Sequence, residues 1–242
     1  MISVIIPARR ERFLDQTIKS IFDNFKGDFE VIVVLEGKEM SPPPKDVTYI
    51  RNKKPKGMRT AINQAVAIAK GQYILKLDAH CMVDVGMDVK LLEDHQDKWV
   101  QIPRRKRLDA HNWKIEVRED RPDIDYMYLG KGYVGGVNNA KNRREDLKKI
   151  LLDDAPTFQG SCYFMEKDFF NELGLLDDVN FAGNGHEAQE ICFKVRHAGG
   201  RVVRNKKTWY AHARLNRFYS IDRTKSREYI HVLAKQCKEV KK

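Results

Sequence analysis

An aspartate and a histidine two residues apart, directly after an apolar run, are a pair that could bind a divalent cation. Asp78 and His80 follow residues 73–77, Tyr-Ile-Leu-Lys-Leu, which have the composition of a buried strand. One oxygen and one nitrogen ligand suit Mn²⁺ or a similar borderline ion better than Ca²⁺. An Asp-x-His triplet also arises often by chance, and its alternative interpretation is a turn with a satisfied histidine. The elements around the pair must therefore decide between the two.

Strands and helices are predicted to alternate over the first hundred residues. Residues 2–6 and 30–35 are short apolar, β-branched runs typical of strands that are covered on both faces. Apolar residues at three-to-four spacing predict helices over 13–25 and 58–69. This order predicts an α/β doubly wound domain, which binds ligands beyond the carboxyl ends of its strands. The segments to examine are therefore 7–11, 36–37, 51–59 and 78–80.

The alternation weakens from residue 103 to about residue 149, where Arg104–Arg107 and the glycine-rich residues 130–136 lie. Loops of this length in compact proteins are usually functional or mobile, so we predict an insert or acceptor-side loops over 103–156. Beyond it, the pattern predicts a strand over 158–165, helices over 167–173 and 187–197, and a strand over 201–203. The predicted divisions are 1–102, 103–156, 157–215 and a basic carboxyl-terminal segment, 216–242.

The net charge of +11 is concentrated in the last fifth of the chain. Residues 194–242 contain 15 basic and 3 acidic residues, whereas residues 1–193 contain 30 basic and 31 acidic residues. This asymmetry favours a polyanionic partner, which could be a nucleic acid, an anionic membrane surface or a phosphate-rich substrate. A solvated basic tail is the alternative that charge alone leaves open.

Several classes of protein are disfavoured by composition. The amino-terminal apolar run is too short for a signal peptide, and no run approaches the roughly 18 apolar residues that a membrane helix needs. The four cysteines are scattered, without a Cys-x-x-Cys pair, which predicts reduced thiols and no structural zinc. We therefore expect a cytoplasmic protein.

Several further motifs occur in a recognisable order along the chain. They are residues 3–7 (Ser-Val-Ile-Ile-Pro), 33–37 (Val-Val-Leu-Glu-Gly), Gly57 with Ala61 and Asn63, and 77–81 (Leu-Asp-Ala-His-Cys). Together they resemble the nucleotide-diphospho-sugar glycosyltransferases of the family-two type, whose fold is called GT-A. The Asp-x-His triplet, in place of the usual Asp-x-Asp, is similar to the polypeptide N-acetylgalactosaminyltransferase branch. So are residues 160–165, 172–174, 187–194, 199–200 and 209–212, and the resemblance covers roughly residues 2–102 and 157–215.

The resemblance implies a donor site and a metal site. Asp78 and His80, with His212 as a third ligand, would hold Mn²⁺ or Mg²⁺ against the two phosphates of a donor, a UDP-sugar by family expectation. Glu36 would accept the N3 proton of uracil, and Arg59 and Arg214 would contact the pyrophosphate. The remaining donor-site residues implied by the resemblance are Pro7, Ala8, Arg9, Glu11 and Gly160. Residues 1–102 would then be the nucleotide-sugar-binding half.

A carboxylate in the helix predicted over 187–197 is relevant to whether transfer inverts or retains the anomeric centre. In inverting relatives an acidic residue at the start of this helix deprotonates the acceptor, and Glu187, with Glu190 as the alternative, occupies that region here. Retaining relatives carry a glutamate there that binds sugar. Residues 185–190, Gly-His-Glu-Ala-Gln-Glu, depart from the patterns of both groups. The outcome stays open, and Glu187 could instead only complement the helix dipole.

The acceptor is predicted from basic residues interleaved with aromatic ones, a combination that suits a phosphate backbone and an unstacked base. Compact transferases of this kind resemble those with which viruses of bacteria glycosylate hydroxymethylpyrimidines in their own DNA, in the cytoplasm of the host. Two alternatives remain: a bacterial polysaccharide, lipid or protein acceptor, and a nucleic-acid-binding protein that has lost catalysis. The basic residues in question are Arg104–Arg107, Arg196, Arg201, Arg204, Lys206, Lys207, Arg214, Arg217, Arg223, Lys225 and Arg227.

Overall fold

A mixed β-sheet forms the centre of the molecule, which a computed structural model describes over residues 1–37, 46–120, 122–133, 135–137, 145–181, 185–215 and 224–236. The strands are β1 (Ile2–Ala8), β2 (Phe29–Glu36), β3 (Thr48–Asn52), β4 (Tyr73–Leu77), β5 (Cys81–Val83), β6 (Trp99–Asp109), β7 (Lys114–Ile115), β8 (Met127–Leu129), β9 (Gly135–Val137), β10 (Leu152–Asp154), β11 (Cys162–Glu166) and β12 (Arg201–Ala213). The helices are α1 (Leu14–Asn24), α2 (Met58–Ile68), α3 (Met87–Glu93), α4 (Glu145–Lys148), α5 (Lys167–Glu172), α6 (Glu187–His197) and α7 (Thr224–Gln236).

The strand order of the sheet is β10-β12-β6-β11-β4-β1-β2-β3, with β5 paired to β12 and β7 paired to β6. Strands β3, β2, β1 and β4 run parallel to one another, as the predicted alternation of strands and helices requires. Strand β11 is antiparallel to β4 and β6, whereas β12 is parallel to β6. The first and last parts of the chain therefore share one sheet, and the carboxyl end of β4 faces the segment that precedes β11.

Helices cover both faces of the sheet because its central strands are apolar on both sides. One buried cluster joins Ile5, Ile32 and Ile74 to residues of α2, α5 and α6. A second cluster joins Val4, Val33 and neighbouring strand residues to α1 and α3. The predicted α/β doubly wound architecture is confirmed, and the sheet positions the ends of its strands rigidly.

Three predicted boundaries differ from the structure. Strand β6 runs from Trp99 to Asp109 without a break at residue 102, so the first residues of the predicted insert belong to the central sheet. The arginine run and Pro103 conceal this strand, and Pro103 is accommodated because the pairing of β6 with β11 involves only Gln101. Strand β12 extends to Ala213, far beyond the predicted residues 201–203, and thereby carries His212. Strand β11 begins at Cys162, later than the predicted residue 158.

Helix α7 lies in the predicted basic carboxyl-terminal segment and packs against α6. Its residues Ile230 and Ala234 are buried with Phe181 and Phe193. None of the helices among the described residues is long and apolar enough to cross a membrane. Cys81, Cys162 and Cys192 are buried and form no disulfide with one another, as the scattered cysteines predict, and Cys237 lies outside the described residues.

Candidate active site

Asp78, His80 and His212 meet at one edge of the sheet. Asp78 directly follows β4, and β12 brings His212 opposite Cys81, the residue after His80. Nε2 of His212 lies 3.2 Å from Oδ2 of Asp78, and Nε2 of His80 lies 4.0 Å from the same oxygen. One ligand atom from each of the three residues lies within 4.8 Å of the others. The structure therefore brings together the three residues predicted to bind metal.

The protonation states of Asp78 and His212 suit metal binding. Burial alone would raise the pKa of Asp78, but the Lys76 ammonium and the hydrogen bond with His212 outweigh it and hold this pKa well below its usual range. Burial lowers the pKa of His212 to about 4 against the opposing effect of Asp78, so its imidazole is neutral at pH 7. An ionised carboxylate and a neutral imidazole are the ligating forms. One oxygen and two nitrogens form a donor set that fits Mn²⁺.

Lys76 is a member of this site that the sequence analysis did not identify. It lies in the central strand β4, and although the side chain is charged it is only 1% exposed. Its ammonium donates to Oδ1 of Asp78 at 2.5 Å and to the carbonyl of Gly160, and lies 3.9 Å from Oε1 of Glu187. The sequence signal that could have identified it is its charge, because Lys76 is the one charged residue in the apolar run 73–77. Because Lys76 holds Oδ1 of Asp78, Oδ2 is the oxygen that faces the two imidazoles.

Glu187 is the second carboxylate near this lysine, after Asp78. It begins α6 and is 5% exposed, and its burial raises its pKa although Lys76 and Arg59 act in the opposite direction. A Cβ at position 160 would lie 2.5 Å from Oε2 of Glu187, so the approach of this carboxylate to the backbone requires Gly160. Lys76 thus contacts Asp78, Gly160 and Glu187, and Gly160 lies directly against Glu187.

Glu190, the alternative to Glu187, is engaged in the interior. It is 0% exposed and accepts hydrogen bonds from Arg59, from Lys194 at 2.7 Å and from the backbone N–H of Asp177 at 2.8 Å. Arg59 is 2% exposed and also donates to the carbonyl of Gly185 at 2.7 Å. Its guanidinium thus joins α2 to α6, which differs from the predicted contact with a pyrophosphate. An isolated buried charge is costly, and this pairing explains why Arg59 is turned inward.

Glu36 is likewise bound within the protein. Its carboxylate accepts hydrogen bonds from the side chain of Asn52 at 2.7 Å and from the backbone N–H groups of Lys56 and Gly57 at 2.6 and 2.8 Å. These contacts fix the segment that enters α2, where Gly57 adopts a φ of 100°. In the structure Glu36 therefore fixes this loop, and the contact with uracil that the resemblance implies stays a prediction.

The other predicted donor-site residues lie at the ends of β1 and β12. Pro7 and the buried Ala8 end β1, and Arg9 and Glu11 follow in the adjoining loop. Oε2 of Glu11 lies 3.0 Å from Nδ1 of His80, so this carboxylate reaches the metal-ligand cluster. Arg214 is exposed and lies two residues after His212. All of these residues therefore lie at the carboxyl end of a strand or directly after it, as predicted for a ligand site.

Many basic residues of the predicted acceptor surface are engaged in the fold. Arg204 donates to the carbonyls of Ile102 and Pro103, and Lys206 donates to the hydroxyl of Tyr126. Arg217 and Arg223 lie outside the described residues, as does the side chain of Lys225. Four further basic residues of this set are also paired: Arg104 with Asp125, Arg196 with the carbonyls of Ala155 and Pro156, Arg201 with Asp154, and Lys207 with Asp94. The number of basic residues in the sequence therefore overstates the number that are available on the surface.

Comparison with known proteins gives one family and several relatives. The sequence model described as glycosyl transferase family 2 matches residues 3–174. The chain is 26% identical over 164 residues to polypeptide N-acetylgalactosaminyltransferase 3 of Taeniopygia guttata, which covers 64% of this chain and 26% of that relative. It is also 26% identical over 230 residues to a probable N-acetylgalactosaminyltransferase 6 of Caenorhabditis elegans, covering 83% of this chain and 35% of the relative. The chain thus spans between about a quarter and a third of these relatives.

Solved structures share the fold. GalNAc-T7, crystallised with UDP, GalNAc and Mn²⁺, superposes with a TM-score of 0.74 at 20% identity, over 88% of this chain and 44% of that chain. Residues 1–349 of TarS from S. aureus, in complex with UDP-GlcNAc, superpose with a TM-score of 0.62 at 13% identity, over 97% and 66% of the two chains. At these identities the likeness concerns the fold, and it confirms the predicted GT-A architecture.

Proposed function

Because the chain belongs to glycosyl transferase family 2, we propose that it transfers a sugar from a nucleotide-diphosphate donor to an acceptor hydroxyl in a reaction that requires Mn²⁺ or Mg²⁺. The observation that carries this proposal is the convergence of Asp78, His80 and His212 at the carboxyl end of β4. This is the edge at which doubly wound folds bind their ligands. The same cluster argues against a family member that has lost catalysis and only binds nucleic acid.

The residues of the site have separate parts in this reaction. Asp78, His80 and His212 would hold the divalent cation, which when bound supplies Lewis-acid stabilisation of the charge that develops on the leaving diphosphate. Lys76 fixes the carboxylate of Asp78 from the other side. Glu187 is the candidate base for the acceptor hydroxyl if transfer inverts the anomeric centre, and a sugar-binding carboxylate if it retains it. Because Glu187 is buried next to Lys76, its carboxylate is held in place for either role.

The donor we propose is a UDP-sugar. The relatives with similar sequence are named N-acetylgalactosaminyltransferases, and two structures with the same fold hold UDP or UDP-GlcNAc. A mannosyltransferase of Pyrobaculum calidifontis with this fold holds GDP-Man and Mn²⁺, so the fold also accepts another base. We retain Pro7, Ala8, Arg9, Gly160 and Arg214 as donor-site residues, because they lie at the strand ends around the metal cluster.

For the acceptor we propose a hydroxymethylpyrimidine in DNA of the kind made by bacterial viruses. The support is the basic and aromatic character near the site: Lys106 lies 4.8 Å above the ring of Trp209, and Arg214 is exposed. These groups can contact phosphate and an unstacked base, and the target base would have to leave the stack to reach the donor. A polysaccharide, lipid or protein acceptor is the second candidate, favoured by the similarity to polypeptide transferases.

Nucleoside mass spectrometry tests this assignment. The protein is incubated with Mn²⁺, a pool of UDP-sugars and either hydroxymethylated or unmodified DNA, and the DNA is digested. We expect a sugar mass on the hydroxymethylated base alone, which would identify the acceptor and the mass of the sugar. Absence of this adduct while UDP is released would contradict the DNA acceptor and favour a glycan, lipid or protein acceptor. Absence of both adduct and Mn²⁺-dependent UDP binding would contradict the transferase itself.

A further inference from the structure

The two ring nitrogens of His80 face different partners. Nδ1 lies 3.0 Å from Oε2 of Glu11, whereas Nε2 faces Oδ2 of Asp78 at 4.0 Å. The ring also lies against that of His212, with centroids 4.8 Å apart. Glu11 therefore contacts Nδ1 of the imidazole, whereas Nε2 faces Asp78.

The loop that carries Glu11 is shaped to reach this histidine. Strand β1 is the direct neighbour of β4 in the sheet, so the loops after the two strands adjoin. Arg10 adopts a φ of 55°, a left-handed conformation that non-glycine residues rarely take and that turns the chain just before Glu11. Uncommon backbone conformations of this kind concentrate at functional sites. The position of Glu11 beside His80 is thus built into the backbone.

A carboxylate in this position determines which nitrogen of His80 can bind a cation. An ionised carboxylate only accepts hydrogen bonds, so the contact with Glu11 places a proton on Nδ1, and the neutral imidazole then has its lone pair on Nε2, on the side of Asp78. We propose that Glu11 is the positioning residue that fixes the tautomer and the ring orientation of His80 for metal binding. This inference rests on the proposed function, because it assumes that Asp78, His80 and His212 bind a divalent cation. It differs from the donor contact that the resemblance implies for Glu11.

Mn²⁺ affinity in the absence of donor tests the inference directly. Free Mn²⁺ is measured by its electron paramagnetic resonance signal while the protein is titrated. We expect Glu11→Ala to weaken Mn²⁺ binding by about 10- to 100-fold, the usual effect of removing a partner that orients a ligating histidine. Glu11→Gln keeps an acceptor oxygen and should retain most of the affinity. Glu172→Ala, at an exposed glutamate of α5 that pairs with Lys98, is the matched control and should leave it unchanged.

A double-mutant cycle separates positioning from a general effect of charge. Glu11→Ala should cause no further loss in a His80→Ala background, but its full loss in a His212→Ala background, because coupled residues are not additive. Equal losses in both backgrounds, or wild-type affinity in Glu11→Ala, would overturn the inference. A raised KM for the donor with unchanged Mn²⁺ affinity would assign Glu11 to the donor instead. A wild-type protein that binds no Mn²⁺ would overturn the proposed metal site as well.

Discussion

Asp78→Asn should lower Mn²⁺ affinity by at least about 100-fold and abolish detectable sugar transfer. Loss of an orienting partner alone costs about 10- to 100-fold, and this variant removes the charge of a ligand itself. Asp78 is also the carboxylate whose Oδ2 lies between the two imidazoles. Mn²⁺ binding is measured by a titration that is monitored by calorimetry or electron paramagnetic resonance, and UDP release is the second readout.

The Asp78 variant also leaves Lys76 buried without its anionic partner, so its folding must be measured. Breaking a buried ion pair on one side costs about 3–5 kcal/mol. His212→Gln keeps the pair between Lys76 and Asp78 intact and serves as the second variant. It should lose Mn²⁺ affinity while unfolding at nearly the wild-type temperature. Wild-type Mn²⁺ affinity in a folded Asp78→Asn protein would contradict the metal assignment.

If transfer inverts the anomeric centre, with Glu187 as the base, Glu187→Gln should lower kcat by about 10²- to 10⁴-fold, the usual contribution of a general base, and leave Mn²⁺ affinity within a few-fold of wild type. The carboxylate is not part of the cluster of Asp78, His80 and His212, and it lies 3.9 Å from Lys76. A base must be ionised, and burial raises the pKa of Glu187 above the usual value. The wild-type kcat should therefore rise with pH through this raised pKa, and the Gln variant should lack that dependence.

Glu172→Gln is the matched control for this substitution because Glu172 is an exposed glutamate. It should retain the wild-type kcat and pH dependence. A Glu187→Gln protein with wild-type kcat would remove Glu187 from the chemistry and leave it only its charge at the start of α6. An equal loss of kcat and of Mn²⁺ affinity would instead make Glu187 part of the metal site.

The sequence predicts several elements of the fold well because their signals are local. Apolar runs and helical periodicity place β1, α1, α2, β4 and α6 within two residues of their observed ends. Strand β6 is missed because four basic residues and Pro103 interrupt its apolar pattern. What makes them a strand is the parallel pairing with β12, a contact between residues about a hundred positions apart. Such long-range pairing leaves no local signal.

The site shows the same division between local and distant information. The Asp-x-His triplet is visible at once, and the resemblance adds His212, which the structure places 3.2 Å from Asp78. Residue type alone cannot reveal that Arg59 and Glu36 face inward, because their partners Glu190 and Asn52 come from other elements. Lys76 is missed for the same reason. Lys76 acts through its contacts with Gly160 and Glu187, residues that are distant in the sequence and become neighbours only in the folded sheet.

UDP binding with and without Mn²⁺ shows whether Asp78, His80 and His212 form a metal-dependent donor site. UDP is titrated calorimetrically into the wild-type protein with Mn²⁺ or with a chelator. We expect Mn²⁺ to strengthen UDP binding at least about tenfold, a coupling of about 1.4 kcal/mol, and Asp78→Asn to abolish this difference. Equal affinity for UDP with Mn²⁺ and with chelator would contradict the metal-dependent donor site.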